Sequence, residues 1–421
     1  MLMRRGLALL ERLDFDTSFR VIFPNGRDAV YGQNEPVFTI HFKTRRSLRQ
    51  TFTKSMLGWG EAYMSGEIDI EGGMDHVVRL GFTLQNSIMP MTAMHKLKYA
   101  LDVLTRRNTY SGSKRNIAAH YDLSNEFYRL WLDGNMQYTC GYFRSADDSL
   151  EQAQLNKMDL VCRKLQLKPG ELVVEAGCGW GGLALHMVRE YGVRVRGYNI
   201  SEQQVAYARA RQRRYGIGED RLEYVLDDYR NIPETADRCD KFVSICMIEH
   251  AGRGNYAAFH DVVARVLKPG GLAVIQFISR RKPAKHAHKW LEKHVFPGYY
   301  NPTLTEFIAP LEAEGSPLHP TDVENMRYHY ALTVKHWWDR LEANAGRIRE
   351  LYGERRGEEI IRKFRIYLAG GYADFGHGMG TLLYQLVLSN GADNAAPLTR
   401  DHLFADEALE RKPVVTPTAA E

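Results

Sequence analysis

The stretch Leu172-Val173-Val174-Glu175-Ala176-Gly177-Cys178-Gly179-Trp180-Gly181-Gly182 decides the fold of this chain. An apolar run suited to a buried parallel strand ends in an acid. Four glycines follow within six residues, and a helical pattern resumes at Leu183. A strand-to-helix turn so stripped of side chains lets a ligand lie against its backbone, where the helix N-terminus favours anionic groups. Glycines 177, 179 and 182 also satisfy the pattern G-x-G-x-x-G, which several adenosine-bearing cofactors share. The turn alone does not separate those cofactors, nor does it exclude an ordinary tight connection.

Three later segments separate them. Where a dinucleotide site expects an acid for the ribose, the chain reads Gly197-Tyr198-Asn199-Ile200-Ser201. Asp227-Asp228-Tyr229 follows the apolar segment Leu222 to Leu226, where an acid and a ring could hold an adenine. Leu267-Lys268-Pro269-Gly270-Gly271 then precedes a predicted strand from Leu272 to Ile278. In this order the segments resemble a class I S-adenosylmethionine-dependent methyltransferase. The resemblance implies an α/β, Rossmann-like, doubly wound sheet of seven strands.

The rest of the chain bounds the reading. At 421 residues two domains are expected. Hydrophobic residues at 44% and charged residues at 25% are ordinary globular values. A net charge of +5 is too weak to argue for nucleic acid, and none is predicted as a partner. Cysteines 140, 162, 178, 239 and 246 show no paired metal spacing and no disulfide framework, which fits a reducing cytoplasm. The apolar run after Arg5 is interrupted by Glu11 and lacks a clear cleavage site, and no window approaches the roughly 18 apolar residues of a membrane span.

Residues 1–107 read as a small α+β accessory domain, 108–115 as a linker, 116–395 as the methyltransferase domain and 396–421 as a disordered tail. Alternation in Ser18 to Phe23 and in Val37 to Phe42 predicts strands. The run Gly58-Trp59-Gly60-Glu61-Ala62-Tyr63-Met64-Ser65-Gly66 carries too many glycines for one uninterrupted helix. Residues 91–107 predict a helix with Met94, Leu97, Leu101 and Leu104 on one stripe and Lys96, Lys98, Arg106 and Arg107 supplying charge. Such a helix suits an anionic bilayer, or else packs on the next domain with a solvated basic side.

Beyond the cofactor motif, His120-Tyr121-Asp122-Leu123-Ser124-Asn125, Met136-Gln137-Tyr138-Thr139-Cys140-Gly141-Tyr142 and Met247-Ile248-Glu249-His250 resemble the cyclopropane-fatty-acyl-phospholipid synthases and mycolic-acid methyltransferases. Gly60-Glu61-Ala62-Tyr63-Met64 is similar to the accessory domain of the longer bacterial synthases, so the likeness runs to about residue 395. It implies methyl transfer to the double bond of a phospholipid acyl chain, at the cytoplasmic face of a membrane, and it admits a homodimer. In this family a bound bicarbonate is held to be the base that closes the ring. Its holders carry over as Cys140, Glu249, Ile278 and Tyr330, but the family's histidine is here Gln276. A neutral amide grips an anion less firmly than an imidazolium, which opens a methyl-branched or methylene product.

The same likeness assigns Tyr138 and Thr139 to the methionine carboxylate, and Gly177, Cys178 and Gly179 to the backbone-facing side of the cofactor. Asn199 and Gln204 fall to its ribose, Asp228 and Tyr229 to its adenine. Plainer roles compete. Cys140 suits a small buried hydrophobe, Glu249 a helix cap, and Trp337, Trp338 and Tyr328 a core as well as a lipid tunnel. His286, His288 and His294 lie among Arg280, Arg281, Lys282, Lys285, Lys289 and Lys293, so charge repulsion speaks against a metal and for a basic surface facing phosphates. A small-molecule methyltransferase and a non-catalytic lipid binder remain alternatives. Neither accounts for the Cys140, Glu249 and Tyr330 set.

Overall fold

The computed structural model describes residues 17–88, 123–233, 238–252, 254–283, 288–391 and 397–404. The basic helix predicted at 91–107, the linker at 108–115, His120 to Asp122, Lys285, His286 and the tail from 405 lie outside the described residues. Of that tail, residues 397–404 end in a short 3-10 turn, Asp401–Leu403. The chain forms two compact units. One comprises Met1–Arg107, Lys285–Gly298 and Ala331–Gly380; the other comprises Asn108–Ala284, Tyr299–Tyr330 and Thr381–Glu421.

In the first unit β1 (Phe19–Ile22), β2 (Asp28–Tyr31), β3 (Phe38–Phe42) and β4 (Ile68–Gly72) pair in the order β2-β1-β3-β4. β1 and β3 fall in the two stretches whose alternation predicts strands. Helices α1 (Arg45–Met64) and α2 (Met74–Ile88) accompany this sheet. The glycine-rich run is a correction to the sequence reading. Gly58 and Gly60 sit inside α1, and its break falls earlier, at Ser55, with φ 53 and ψ −140. Packing explains the glycines better than helix breaking does. A Cβ at Gly58 would lie 2.3 Å from the Gln50 carbonyl, and one at Gly60 would lie 2.4 Å from the Trp290 ring. From the later segment Glu354–His377, the Arg362 guanidinium donates to the carbonyls of Tyr63 and Ile68 at 3.1 and 3.0 Å and to Asp69 at 2.8 Å. Residues far apart in sequence therefore complete this unit, which helical periodicity alone does not reveal.

The second unit holds helices α3 (Asn125–Arg129) and α4 (Leu150–Lys164), then β5 (Leu172–Ala176), α5 (Gly182–Tyr191), β6 (Arg194–Asn199), α6 (Glu202–Arg214) and β7 (Leu222–Leu226). β8 (Cys239–Ile245), α7 (Ile248–Ala251), α8 (Tyr256–Val266), β9 (Leu267–Arg280), β10 (Leu318–Asn325) and β11 (Thr381–Asn390) follow. Among the described residues its sheet has seven strands, in the order β10-β11-β9-β8-β5-β6-β7. β6, β5, β8 and β9 run parallel with their neighbours, while β11 enters antiparallel against β9. This is the doubly wound class I methyltransferase sheet.

Each central strand is buried on both faces because consecutive apolar side chains serve opposite cores. Val173, Val243 and Val274 pack with Met158, Leu185 and Val188 on one side. Val174, Phe242 and Ile275 pack with Phe259 and Val263 on the other. β9 begins before the expected Leu272: Cys239 pairs Leu267 and Lys241 pairs Leu272, so the Lys-Pro-Gly-Gly segment bulges out of a strand already under way. The order of strands reverses at β5, between β6 and β8, which places a crevice for ligands beyond their carboxyl ends.

Candidate functional site

Three glycines of the β5–α5 turn adopt left-handed backbone: Gly177 at φ 85, Gly179 at 54 and Gly181 at 77. The turn is clamped from outside itself. Gly177 and Cys178 both donate their N–H to the Tyr198 carbonyl, at 2.9 and 3.1 Å. The Tyr224 hydroxyl donates to Gly181 O at 3.0 Å, and Asn199 Nδ2 to Gly179 O at 3.1 Å. No side chain caps α5, so its first N–H groups are left for a ligand. A Cβ at Gly179 would meet no protein atom within 4 Å, whereas one at Gly181 would lie 2.3 Å from the Tyr224 hydroxyl. An open backbone cradle above an uncapped helix suits an adenosine cofactor that carries a carboxylate.

The predicted ribose pair is preformed. Asn199 Nδ2 also donates to Gln204 Oε1 at 2.9 Å, and Asn199 Oδ1 accepts from Ser201 N at 3.1 Å. Gln204 Nε2 keeps no partner among the described residues. Asp228 is differently employed. Its carboxylate accepts from Arg230 N at 2.9 Å and from the Arg230 guanidinium at 2.8 and 2.7 Å, capping a 3-10 turn. That pairing commits the acid, and the same guanidinium lies over the neighbouring Tyr229 ring, 5.7 Å from its centroid. Tyr229 stands edge-on to Phe259, and burial pushes its hydroxyl up to about 12.

The Gln-Tyr-Thr-Cys segment is held from α4. Gln154 Nε2 donates to the Thr139 carbonyl at 2.7 Å. Lys157, wholly buried, donates from Nζ to Thr139 Oγ1 at 3.0 Å and to Gln137 Oε1. Burial pushes that ammonium down to about 8, against the charges of Asp133, Cys246, Cys140 and Glu175. Tyr138 packs edge-on to Trp131 and tilted against Tyr128, which in turn meets Trp180. Trp180 Nε1 donates to Asn125 Oδ1 at 2.7 Å, tying the glycine turn to the segment Leu123-Ser124-Asn125.

The five residues assigned to ring closure form two linked groups. In the first, the Glu249 carboxylate accepts from Ile278 N at 2.6 Å through Oε1, while Oε2 has no partner among the described residues. Burial pushes this carboxyl up to about 7, opposed by the Ile278 N–H. Gln276 Nε2 reaches Cys246 Sγ at 3.4 Å, and Gln276 Oε1 accepts from Gln385 Nε2 at 3.0 Å. In the second, Cys140 Sγ donates to Gly141 O at 3.1 Å and lies 3.9 Å from Met326 O, the carbonyl that accepts from Tyr330 N. Cys246 joins the two groups. Its thiol is pushed well up by burial first, then by the charge of Glu249. It also holds a left-handed φ of 54, a strained backbone of the kind found at sites of function. His250, beside Glu249, is pushed down to about 4 by burial and is neutral.

Other predicted residues divide. Trp337 is fully buried and Tyr328 is 60% exposed. The basic stretch splits, with Arg281 and Lys282 in the second unit and Lys289 and Lys293 in the first. Lys293 already pairs with Glu61 at 2.5 Å. His288 caps a short helix through Nδ1, which accepts from Leu291 N at 3.3 Å. Lys157 and Gln385 were not foreseen, although each breaks an apolar pattern. Lys157 falls on the buried stripe of Leu150, Ala153, Gln154, Met158 and Val161, and Gln385 stands within Leu382 to Leu388. A polar residue at a core position was the available signal.

Residues 109–385 match the model of a family described as mycolic acid cyclopropane synthetase, and residues 8–93 match a domain of unknown function. A probable fatty acid methyltransferase of Pseudomonas putida is 32% identical, over 88% of this chain and 92% of its own length. The cyclopropane-fatty-acyl-phospholipid synthase of Escherichia coli K12 is 33% identical, over 86% of this chain and 90% of its own. A crystal structure of a mycolic acid cyclopropane synthase complexed with SAH and CTAB superposes with a TM-score of 0.59 at 30% identity, covering 66% of this chain and 98% of that one.

Proposed function

The chain belongs to the mycolic acid cyclopropane synthetase family and is an S-adenosylmethionine-dependent methyltransferase, and from that premise we propose that it methylates the double bond of an unsaturated phospholipid acyl chain to give a cyclopropane. The observation that carries this reading is a set of covered side chains with one open acceptor. Cys140 and Gln276 are 0% exposed, Glu249 and Tyr330 5%, and Glu249 Oε2 has no partner among the described residues.

When bound, S-adenosylmethionine would supply an electrophilic methyl group to the alkene's π pair, its S–CH3 bond breaking to release S-adenosylhomocysteine, and the neighbouring carbon would be left as a carbocation. An alkene needs no base to prepare it, so the chain's first task is alignment, an effect that can contribute roughly 7–11 kcal/mol. Tyr138 and Thr139 hold the methionine end, Gly177 to Gly179 the backbone side, Asn199 and Gln204 the ribose, and the Tyr229 ring the adenine. The second task is to keep water from the cation, which the burial of Cys140, Gln276 and Tyr330 serves. The third is to remove a proton from the new methyl group so that the ring closes. Bicarbonate would supply that base, and Glu249, through its open Oε2, with Cys140, Ile278 and Tyr330 would hold it.

Gln276 favours a second reading of the product. Its carbonyl is committed to Gln385 and one amide hydrogen to Cys246, so it brings an anionic base little help and no charge. A weakly held base gives the cation time to lose a chain proton instead, leaving a methyl-branched unsaturated or methylene chain. We place the substrate at a membrane surface, with exposed Arg281 and Lys282 meeting lipid phosphates. No helix among the described residues is long and apolar enough to cross a membrane.

The test is the lipid of a host expressing the chain, read by mass spectrometry and then by proton resonance because ring and branched monoene can share a mass. High-field ring protons support the cyclopropane. A vinylic or exomethylene signal without them supports the second product. Methyl label from S-adenosylmethionine appearing only in a soluble acceptor would overturn both.

A further inference from the structure

We propose that Lys157 is a positioning residue for the cofactor, holding the Thr139 hydroxyl as a hydrogen-bond donor to the methionine carboxylate and adding positive charge behind it. The inference rests on the assignment of Thr139 to that carboxylate.

The chemistry of the donors leads to it. An ammonium carries protons and no lone pair, so Thr139 Oγ1 must be the acceptor in its 3.0 Å contact with Nζ. The hydroxyl's own proton is then left to be donated elsewhere. No acceptor for it stands among the described residues. The same argument orients Gln137. Its Oε1 accepts from Nζ, so its amide nitrogen turns toward the Asn135 carbonyl, 3.5 Å away. That amide lies against the glycine turn, for a Cβ at Gly182 would come within 2.4 Å of Gln137 Nε2. Lys157 thus fixes the side chain of Gln137, which borders the turn, together with that of Thr139.

The second observation is the charge. Lys157 is 0% exposed, yet it makes no ion pair within 4 Å among the described residues. Asp133 is the nearest in electrostatic influence, and its oxygens accept the N–H groups of Asn135 and Gln137 at 2.8 and 2.7 Å. A buried cation without a contacting anion is costly. A neutral donor would position the segment as well, so the retained charge points to an anionic ligand that completes the balance when it binds. The methionine carboxylate is the anionic group that this site takes.

The test compares two ligands that differ only at that carboxylate. S-adenosylmethionine and decarboxylated S-adenosylmethionine are titrated by calorimetry into the full chain, into Lys157→Met, into Thr139→Val and into the double variant. Wild type should prefer the intact cofactor. Lys157→Met should weaken it by about 10- to 100-fold, the range of a charge-assisted hydrogen bond, while binding of the decarboxylated form changes less than about twofold. Thr139→Val should cost binding in wild type and little more in Lys157→Met, because the lysine acts through the hydroxyl. An equal loss for both ligands, or additive losses in the double variant, overturns the proposal. Equal binding of both ligands by wild type overturns the carboxylate assignment beneath it and the proposal with it. If Lys157→Met does not fold, Lys157→Gln, polar and neutral, must show the same fall in preference.

Discussion

Two ends of one sheet pair their buried polar groups over different spans of the chain. Beyond β5, β6 and β7, the polar side chains close on near neighbours: Asn199 on Gln204 and Gly179, Asp228 on Arg230. Around β8, β9 and β11, they bridge segments more distant in sequence. Gln276 meets Gln385 across 109 residues, and Glu249 meets Ile278 across 29. Each end leaves groups without partners among the described residues: Glu175 Oε2 and Gln204 Nε2 at the first, Glu249 Oε2 and Gln385 Oε1 at the second. On the proposed function, the first end receives the cofactor, a ligand whose shape is constant. On the same reading, the open acceptors of the second end serve proton removal, and such groups are costly to bury unless something uses them.

The largest expected effect comes from the open end. Glu249→Gln should lower label transfer into unsaturated phospholipid vesicles by about 100-fold or more, the range for loss of a group that handles a proton, while cofactor affinity measured by calorimetry stays within about twofold. A parallel loss of binding would break the contrast between the two ends. The same residue has a pH signature. Burial raises its carboxyl to about 7, so its contribution to stability is fully present below the ordinary value of 4.5 and lost as pH rises through about 7. The ionised form used in the reaction appears on the other side of that point, so activity should rise where this stability falls. The Gln variant should lack that part of the stability loss, on the order of 3 kcal/mol, in denaturant titrations across the window.

At the closed end, Gly179→Val should remove measurable S-adenosylmethionine binding in calorimetry. The new side chain meets no protein atom at its Cβ, so the melting temperature should fall by only a few degrees, as expected for about 1–2 kcal/mol of left-handed backbone strain. Unchanged affinity would remove the cofactor from the turn.

A smaller effect sharpens the open end itself. Gln276→His should raise the ring fraction of the product, and Gln385→Leu should enlarge that rise because residue 385 faces residue 276 directly in the β9–β11 register. Proton spectra of the extracted lipid measure both, and an identical product ratio in all variants would detach Gln276 from ring closure. The smallest effect lies on the surface. Arg281→Glu with Lys282→Glu should slow turnover several-fold on anionic vesicles at low salt, at about 1 kcal/mol per cation, and leave neutral vesicles unaffected. Turnover indifferent to ionic strength would return both residues to ordinary solvated positions.

The contrast also explains what reading the residues could reach. The glycine turn, the strands around it and the expected cofactor contacts are local: strand, acid, glycines and helix follow one another, and Ser201 both caps α6 and donates its N–H to Asn199 Oδ1. Patterns of period two and of glycine punctuation report such neighbours directly. The glycines at 58 and 60 misled because they serve close packing against Gln50 and Trp290, a reason that periodicity does not carry. Lys157 and Gln385 stood out only as polar breaks in apolar stripes, and nothing local names their partners.

By itself, the order of residues determined the doubly wound sheet and the place of the glycine turn within it, and a family resemblance nominated five residues for the proposed ring closure. Only the tertiary structure decided that Asp228 is spent on Arg230, that Gln276 is held between Cys246 and Gln385, and that a buried lysine stands behind Thr139. The reason is physical. A turn is set by the φ, ψ and hydrogen bonds of adjacent residues, whereas the protonation and orientation of a buried side chain depend on which distant groups the packed sheet brings within about 3 Å of it.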